Sequence, residues 1–406
     1  MLKLLRELIG VQAWQAAILA CASISQFVAA RYIGPSGLGT SAVITASAAL
    51  CIFLLELNLE SAVVREISVG NAERRVALQE STLLGRLGLC GFVAPVVALW
   101  MYLDHRSLVI PFGIVIMVLA KEVNPGWWLQ GLGEAARSYR LIGSSALLGC
   151  LLSLPLIYLL RIPGIETVAT GAVGILVFTR FWNGFSRPIF VFRRIIPSVR
   201  AYIEFAWRYK AFLLGGAAFY LYLYPAKLIL ASSRSVEEAG LYGVATMFGG
   251  AYYAVTMAAF NSYYPKLLVA YGHGVEHYKT TVRWVVLIIT LTGLLAWAAI
   301  IVFRGLLLSI VGAQFDVSLS LAPALLLSKA LGGLVLVARG ALLVKRKERI
   351  SFGTFLAIEL AVFGLNLFVI PRYGILGASI VEISQEIFHL TLLTLMLYKF
   401  DKDRVG

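Results

Sequence analysis

Five cations interrupt an otherwise apolar chain where water is scarce. Arg31, Arg86, Arg180, Lys227 and Lys329 lie inside long uncharged runs or at their ends. An arginine fork donates two parallel hydrogen bonds and matches a phosphate, whereas a lysine acts as a point charge. The alternative for each is a side chain that snorkels to the edge of the apolar layer, and it weighs most for Arg86 and Arg180. Glu56, Glu359, Glu382 and Glu386 are the acids of the same runs. They can neutralise the cations, or bind a coupling proton or sodium ion. Asn58, Gln130, Asn183 and Asn261 carry hydrogen-bonding amides, and Trp127, Trp128 and Trp182 carry rings that stack on a ligand or anchor at a membrane–water boundary. Pro225 falls mid-run and Pro125-Gly126 near the end of one; each removes a helical hydrogen bond. Pro225 is the stronger hinge candidate, while Pro125 also fits a simple helix end.

The elements that must position these residues are membrane helices. Of 406 residues, 60% are hydrophobic and 14% are charged, against about 25% charged in a soluble domain. A bilayer absorbs that composition, at roughly 20 apolar residues per crossing. Twelve segments meet the requirement: 10–30, 38–59, 83–103, 108–128, 141–160, 167–186, 211–231, 240–262, 284–303, 317–338, 352–371 and 375–398. The tenth is the weakest, because Pro323 and Lys329 interrupt it. The fold class expected is therefore all-α and polytopic.

The formal charge of +14 follows topology rather than nucleic-acid binding. The termini and even-numbered loops hold 27 of the 35 Lys and Arg residues, including Arg339 in the loop between segments ten and eleven, and the odd-numbered loops hold seven. By the positive-inside rule both termini face the cytoplasm. The longest loop, 187–210, is rich in arginine and reads as an amphipathic strap on the anionic inner leaflet. It separates an N-terminal six-helix bundle (1–190) from a C-terminal one (211–406), with the connector at 191–210. A shift of 203 residues places Gly37-Leu38 on Gly240-Leu241, Asn58 on Asn261, and Gly171 and Gly174 on Gly374 and Gly377. A shift of 209 places Arg137 and Arg140 on Arg346 and Arg349. Parallel repeats of this kind bind cargo between the halves.

Several other chemistries are excluded or demoted. His273-Gly-Val-Glu-His277 imitates an inverted zinc-protease motif, but its flanking glycines argue for a loop and no third ligand follows. No Gly-Lys phosphate loop is present, so ATP hydrolysis by this chain is not expected. Cys21, Cys51, Cys90 and Cys150 all fall in apolar runs without metal spacing and read as small packing residues.

Several local sequences resemble those of polysaccharide (Wzx-type) flippases. Arg31-Tyr-Ile-Gly-Pro-Ser-Gly-Leu-Gly39 is similar to their Arg-x-Leu-Gly-Pro-x-x-x-Gly turn, and Asn58-Leu-Glu-Ser-Ala-Val-Val-Arg65 to the end of their second helix. Asn124-Pro-Gly-Trp-Trp-Leu-Gln-Gly131 resembles their Pro-x-Trp-x-x-Gln-Gly break. Glu237-Glu-Ala-Gly-Leu-Tyr242 and Tyr373-Gly-Ile-Leu-Gly-Ala378 resemble the starts of their eighth and twelfth helices. The pieces span nearly the whole chain in the family's order.

The resemblance implies the multidrug/oligosaccharidyl-lipid/polysaccharide (MOP) superfamily, with two six-helix bundles around a central cavity. It implies a non-enzymatic transporter of the bacterial inner membrane. The implied cargo is undecaprenyl-pyrophosphate-linked oligosaccharide, flipped by alternating access, with polymerase and chain-length proteins as pathway partners. No cofactor is implied beyond a coupling proton or sodium ion. On this reading the five cations hold the pyrophosphate, while Asn58, Asn261, Gln130, Asn183 and Trp127 contact sugars. Glu56, Glu359 and Glu382 couple ions or pair with cations. One departure is Ala226-Lys227-Leu228-Ile229-Leu230, where the family often has Asp-Lys-Leu-x-Leu, so no role for a helix-7 acid carries over. A drug antiporter of the same superfamily is the alternative. A membrane-embedded polymerase or ligase is another, disfavoured by the short outward loops.

Overall fold

The computed structural model describes residues 2–56, 59–184, 194–273, 275–345 and 347–402. Side chains are described for these except at 2–12, 61, 69, 211–214, 258, 261–266, 268–270, 272–273, 275–276, 348 and 400–402. Within this set the chain is helical almost throughout. The helices are α1 (Leu2–Glu56), α2 (Glu60–Val69), α3 (Ala72–His105), α4 (Val109–Glu122), α5 (Gly126–Gly131), α6 (Ala135–Leu160), α7 (Ile165–Asn183) and α8 (Ile195–Arg208). They continue as α9 (Ala211–Leu223), α10 (Pro225–Ser233), α11 (Val236–His273), α12 (Val275–Val302), α13 (Arg304–Val311), α14 (Asp316–Val344) and α15 (Glu348–Lys402).

The twelve expected segments are found in these helices. Among the described residues, eight stretches are long and apolar enough to cross a membrane. The two longest are each divided by a glycine in the left-handed region: Gly34 (φ 81°) within α1 and Gly374 (φ 55°) within α15. A side chain at either position would strain the backbone, and each break folds one helix back as two crossings. The α9–α10 pair and α11 supply the remaining two crossings. Outward faces are lined by Phe92 and Leu99 on α3, Leu147 and Leu151 on α6, Leu291 and Leu295 on α12, and Phe368 on α15, all exposed. Such surfaces belong in hydrocarbon.

The fourth segment is interrupted, as Pro125-Gly126 indicates: α4 ends at Glu122, Trp182 donates to the freed Val123 carbonyl (2.7 Å), and Pro125 caps the short α5. Three expectations are corrected. The tenth is not weak, since α14 continues through Pro323 and Lys329 to Val344. Arg339 therefore sits in this helix rather than in a loop. The connector is more than a surface strap: α8 packs along α3, and buried Tyr202 donates to the carbonyls of Leu55 (2.8 Å) and Glu56 (3.1 Å). Only its outer face, with Ile196, Ile203 and Trp207, stays exposed. Finally, Gly374 makes a turn, whereas Gly171 lies inside α7. The turn glycine of the first half is Gly164 (φ 79°). The repeat register is thus about 203 near the start of each half and about 210 near its end.

The two halves, α1–α7 and α9–α15, meet most closely at the end opposite the chain termini. Ala29, Ala30 and Leu38 share one apolar cluster with Val244, Val311, Phe315 and Leu319. Arg31 donates to the Ser309 carbonyl (3.4 Å), and Gln314 donates to that of Ala30 (3.2 Å). Backbone meets backbone at Gly39 and Gly240. A Cβ at Gly39 would fall 1.7 Å from the Val236 carbonyl oxygen, and one at Gly240 would fall 1.9 Å from that of Pro35. We predict that Gly240→Val forces this end apart. Spin labels at exposed Ser36 and Glu237 should report a longer mean distance by pulsed electron resonance in the variant than in the parent. Equal distance distributions would refute the assigned contact.

Candidate functional site

The second half carries a buried charge cluster built from four helices. α14 presents Lys329 and α15 presents Glu382 and Glu386, all buried. The Lys329 ammonium lies 2.9 Å from Glu382 and 3.6 Å from Glu386. It also donates to the Tyr222 hydroxyl of α9 (3.1 Å) and sits over that ring at 4.2 Å. Tyr222 in turn donates to Glu386, and Tyr242 of α11 donates to Glu382. One turn further along α15, Gln385 donates to both oxygens of Glu359 (2.8 Å each), and His389 Nε2 lies 3.3 Å from the same carboxylate. Glu382, Gln385, Glu386 and His389 share one helical face by their spacing.

Two small cavities adjoin this cluster. One, of about 110 Å³, is lined by Tyr222, Lys227, Tyr242, Lys329, Asn366 and Glu382 among others. The other, also about 110 Å³, lies between the halves: Gln26, Ser41, Thr45 and Glu166 come from the first, and Lys227, Gly243 and Val244 from the second. Lys227 lines both. Its position follows from the break in the seventh segment, where α9 stops at Leu223 and Pro225 opens α10. Pro225 thus stands at a helix discontinuity, as a hinge requires. Among the described residues no carboxylate lies within ion-pair distance of Lys227, whereas Glu166 accepts a hydrogen bond from Ser41.

The other sequence candidates do not join this site. Arg86 is buried between Glu56, which accepts from it, and Glu122 at 2.7 Å. Lys121 reaches Glu56 (3.4 Å) and Glu60 (3.3 Å). Arg86 is thus an internal ion-pair partner, not a snorkelling side chain, and Glu56 is consumed by the same network. Arg31 is exposed at the closed end, and Arg180 and Asn183 are exposed at the end of α7. Trp127 is packed against Trp128 and Trp182 (ring centroids 6.2 Å from each), in a cluster with Val63, Ile67 and Leu83. Its faces are taken, which suits packing rather than sugar stacking. Gln130 is half-buried on α5. Asn58 and the side chains of Asn261 and His273 lie outside the described residues.

Sequence reasoning missed Tyr222, Tyr242, Glu122, Glu166, Gln385 and His389. The i, i+3, i+4, i+7 spacing of polar residues on α15 is a signal that finds two of them. Tyr222 and Tyr242 carry no comparable signal, because tyrosine is ordinary in apolar runs. Removing one member of a buried pair leaves an uncompensated charge, at a cost of about 3–5 kcal/mol. Lys329→Ala should therefore lower the thermal unfolding midpoint of the purified protein. Lys329→Ala combined with Glu382→Gln should recover more than half of that loss, and strict additivity of the two changes would contradict the pairing.

No sequence-family profile and no curated protein sequence matches the chain. Solved structures do. The lipid II flippase MurJ in an inward closed conformation superposes with a TM-score of 0.74 at 12% identity, over 97% of this chain and 87% of MurJ. An inward-facing multidrug resistance MATE family transporter of the MOP superfamily gives 0.69 at 14% identity, over 97% and 99%. A MOP superfamily transporter from Pyrococcus furiosus, described as having a binding pocket of reverse polarity, gives 0.60 at 14%, over 97% and 95%. The chain thus has the twelve-helix membrane fold of the MATE transporters and MurJ, in two bundles of six.

Proposed function

We propose that this chain is a transporter of the bacterial inner membrane that moves an anionic, lipid-linked oligosaccharide between leaflets by alternating access. The observation that carries the reading is Lys227. Its ammonium has no carboxylate within ion-pair distance among the described residues, stands at a helix break, and lines both the cavity between the halves and the one inside the second half. A cation without an ion-pair partner at membrane depth is costly and marks a ligand pathway. It favours an anion over a cationic drug. A fold shared with a lipid II flippase is compatible with cargo on a lipid tail. With both termini in the cytoplasm, the orientation that the Lys and Arg distribution favours, the end closed by Gly39 and Gly240 faces outward.

Energy comes from an ion gradient or from consumption of the cargo outside. Glu359, contacted by Gln385 and His389 and by no Lys or Arg at ion-pair distance among the described residues, is the acid placed to respond to a proton or sodium ion. Glu56 and Glu382 are less so, because Arg86 and Lys121 hold the first and Lys329 the second. Pathway partners are the enzymes that build and polymerise the glycan.

The test is translocation in proteoliposomes. A fluorescent short-chain polyprenyl-pyrophosphate disaccharide should move from leaflet to leaflet with the parent protein. Lys227→Ala should slow it at least about tenfold, and Lys227→Arg should largely preserve it. Vesicles that exchange ethidium for protons but leave the disaccharide lipid in place would establish the drug-antiporter alternative instead.

A further inference from the structure

Arg339 lies on α14 about one turn before it ends at Val344, on the side of the bundle that carries the chain termini. Its guanidinium stacks on Phe355 with 3.9 Å from Cζ to the ring centroid, and Phe352 lies at 5.8 Å. Its Nε is buried without a hydrogen-bond partner. Among the described residues no carboxylate is within ion-pair distance. Arg86 and Lys329, the buried cations among the described residues, each have two glutamates, whereas Arg339 is half-buried. Glu359 is contacted by Gln385 and His389 and makes no ion pair with Arg339.

The same side chain opens onto a cavity of about 320 Å³ between α9, α11, α14 and α15. Phe219, Tyr253, Phe260, Phe352 and Phe355 supply aromatic walls around Arg339. A water occupies roughly 30 Å³ of liquid, so there is room for a phosphate group and part of what it is attached to. A stacked guanidinium is held flat, which leaves its edge free for bidentate donation to an oxyanion. The aromatic walls favour an anion that carries an apolar or ring substituent over a bare ion.

We propose that this cavity is a binding site for a phosphate-type anion, the head of a phosphorylated or pyrophosphorylated lipid, with Arg339 as its counter-charge. The site lies within the second half and is separate from Lys227. It rests on the transport reading only in naming the lipid as the source of the anion.

Isothermal titration of the purified full-length protein with farnesyl pyrophosphate, and separately with inorganic pyrophosphate, tests it. The parent should bind farnesyl pyrophosphate more tightly than the inorganic ion. Arg339→Ala should weaken binding at least about 30-fold. Independently of any variant, phenylglyoxal modification of Arg339 in the parent, read by mass spectrometry, should fall when farnesyl pyrophosphate is present. Farnesyl pyrophosphate binding that is indifferent to Arg339→Ala and gives no protection overturns the site and spares the transport reading. Binding and protection by inorganic pyrophosphate alone keeps the anion site and overturns a lipid-linked cargo there. Failure of both anions to bind overturns both.

Discussion

A lysine ammonium surrounded by hydrocarbon has to bring its counter-charges with it, and Lys329 does so by drawing four helices to one point. Moving an isolated ion out of water costs tens of kcal/mol in the limiting case. The penalty is offset only if geometry is good and the remaining polar atoms are satisfied. α15 meets that demand with Glu382 and Glu386, and α9 and α11 with the hydroxyls of Tyr222 and Tyr242. The bond from Tyr222 ties α9 to this point just before Pro225 opens α10, and Lys227 stands a little over one turn further on. The exposed stacking of helices in lipid supplies no comparable specificity, since hydrocarbon is as apolar as leucine.

The first half solves the same problem with Arg86, Glu56, Glu122 and Lys121. There the ion-pair cluster sits beside the end of α1, where Tyr202 of α8 also bonds. It therefore joins the connector to the bundle. These two clusters separate cations that hold the fold from cations that do not. Arg86 and Lys329 are ion-paired internally. Lys227 and Arg339 have no carboxylate within ion-pair distance among the described residues, and both line cavities.

Much of this was legible in the residues. Twelve apolar runs give twelve crossings, and the polar interruptions at Lys227, Lys329, Glu359, Glu382 and Glu386 converge on the second half. What failed has physical causes. Counting Lys and Arg assigns every cation near a segment end to a loop, which misplaced Arg339; whether a helix runs one turn longer depends on packing from other helices. Arg86 reads as an edge residue until Glu122 is known to face it from another helix. Trp127 is an interface anchor, a stacking surface or a packing unit by type alone, and only Trp128 and Trp182 decide it. The α15 polar face was the missed opportunity, because its spacing is a property of one helix and needs no tertiary knowledge.

The meeting of Gly39 and Gly240 has a mechanical meaning. No side-chain hydrogen bond or ion pair is made by either residue, because neither has a side chain; the halves simply arrive at van der Waals distance along bare backbone. Such a contact works as a stop and not as a lock. It limits how far the halves can travel, yet it adds no directional bond that reopening would have to break. Resistance to reopening then falls to the apolar cluster around Phe315 and to the weak bonds of Arg31 and Gln314, a boundary whose closing position is set by size and whose release is left to softer, separately adjustable contacts.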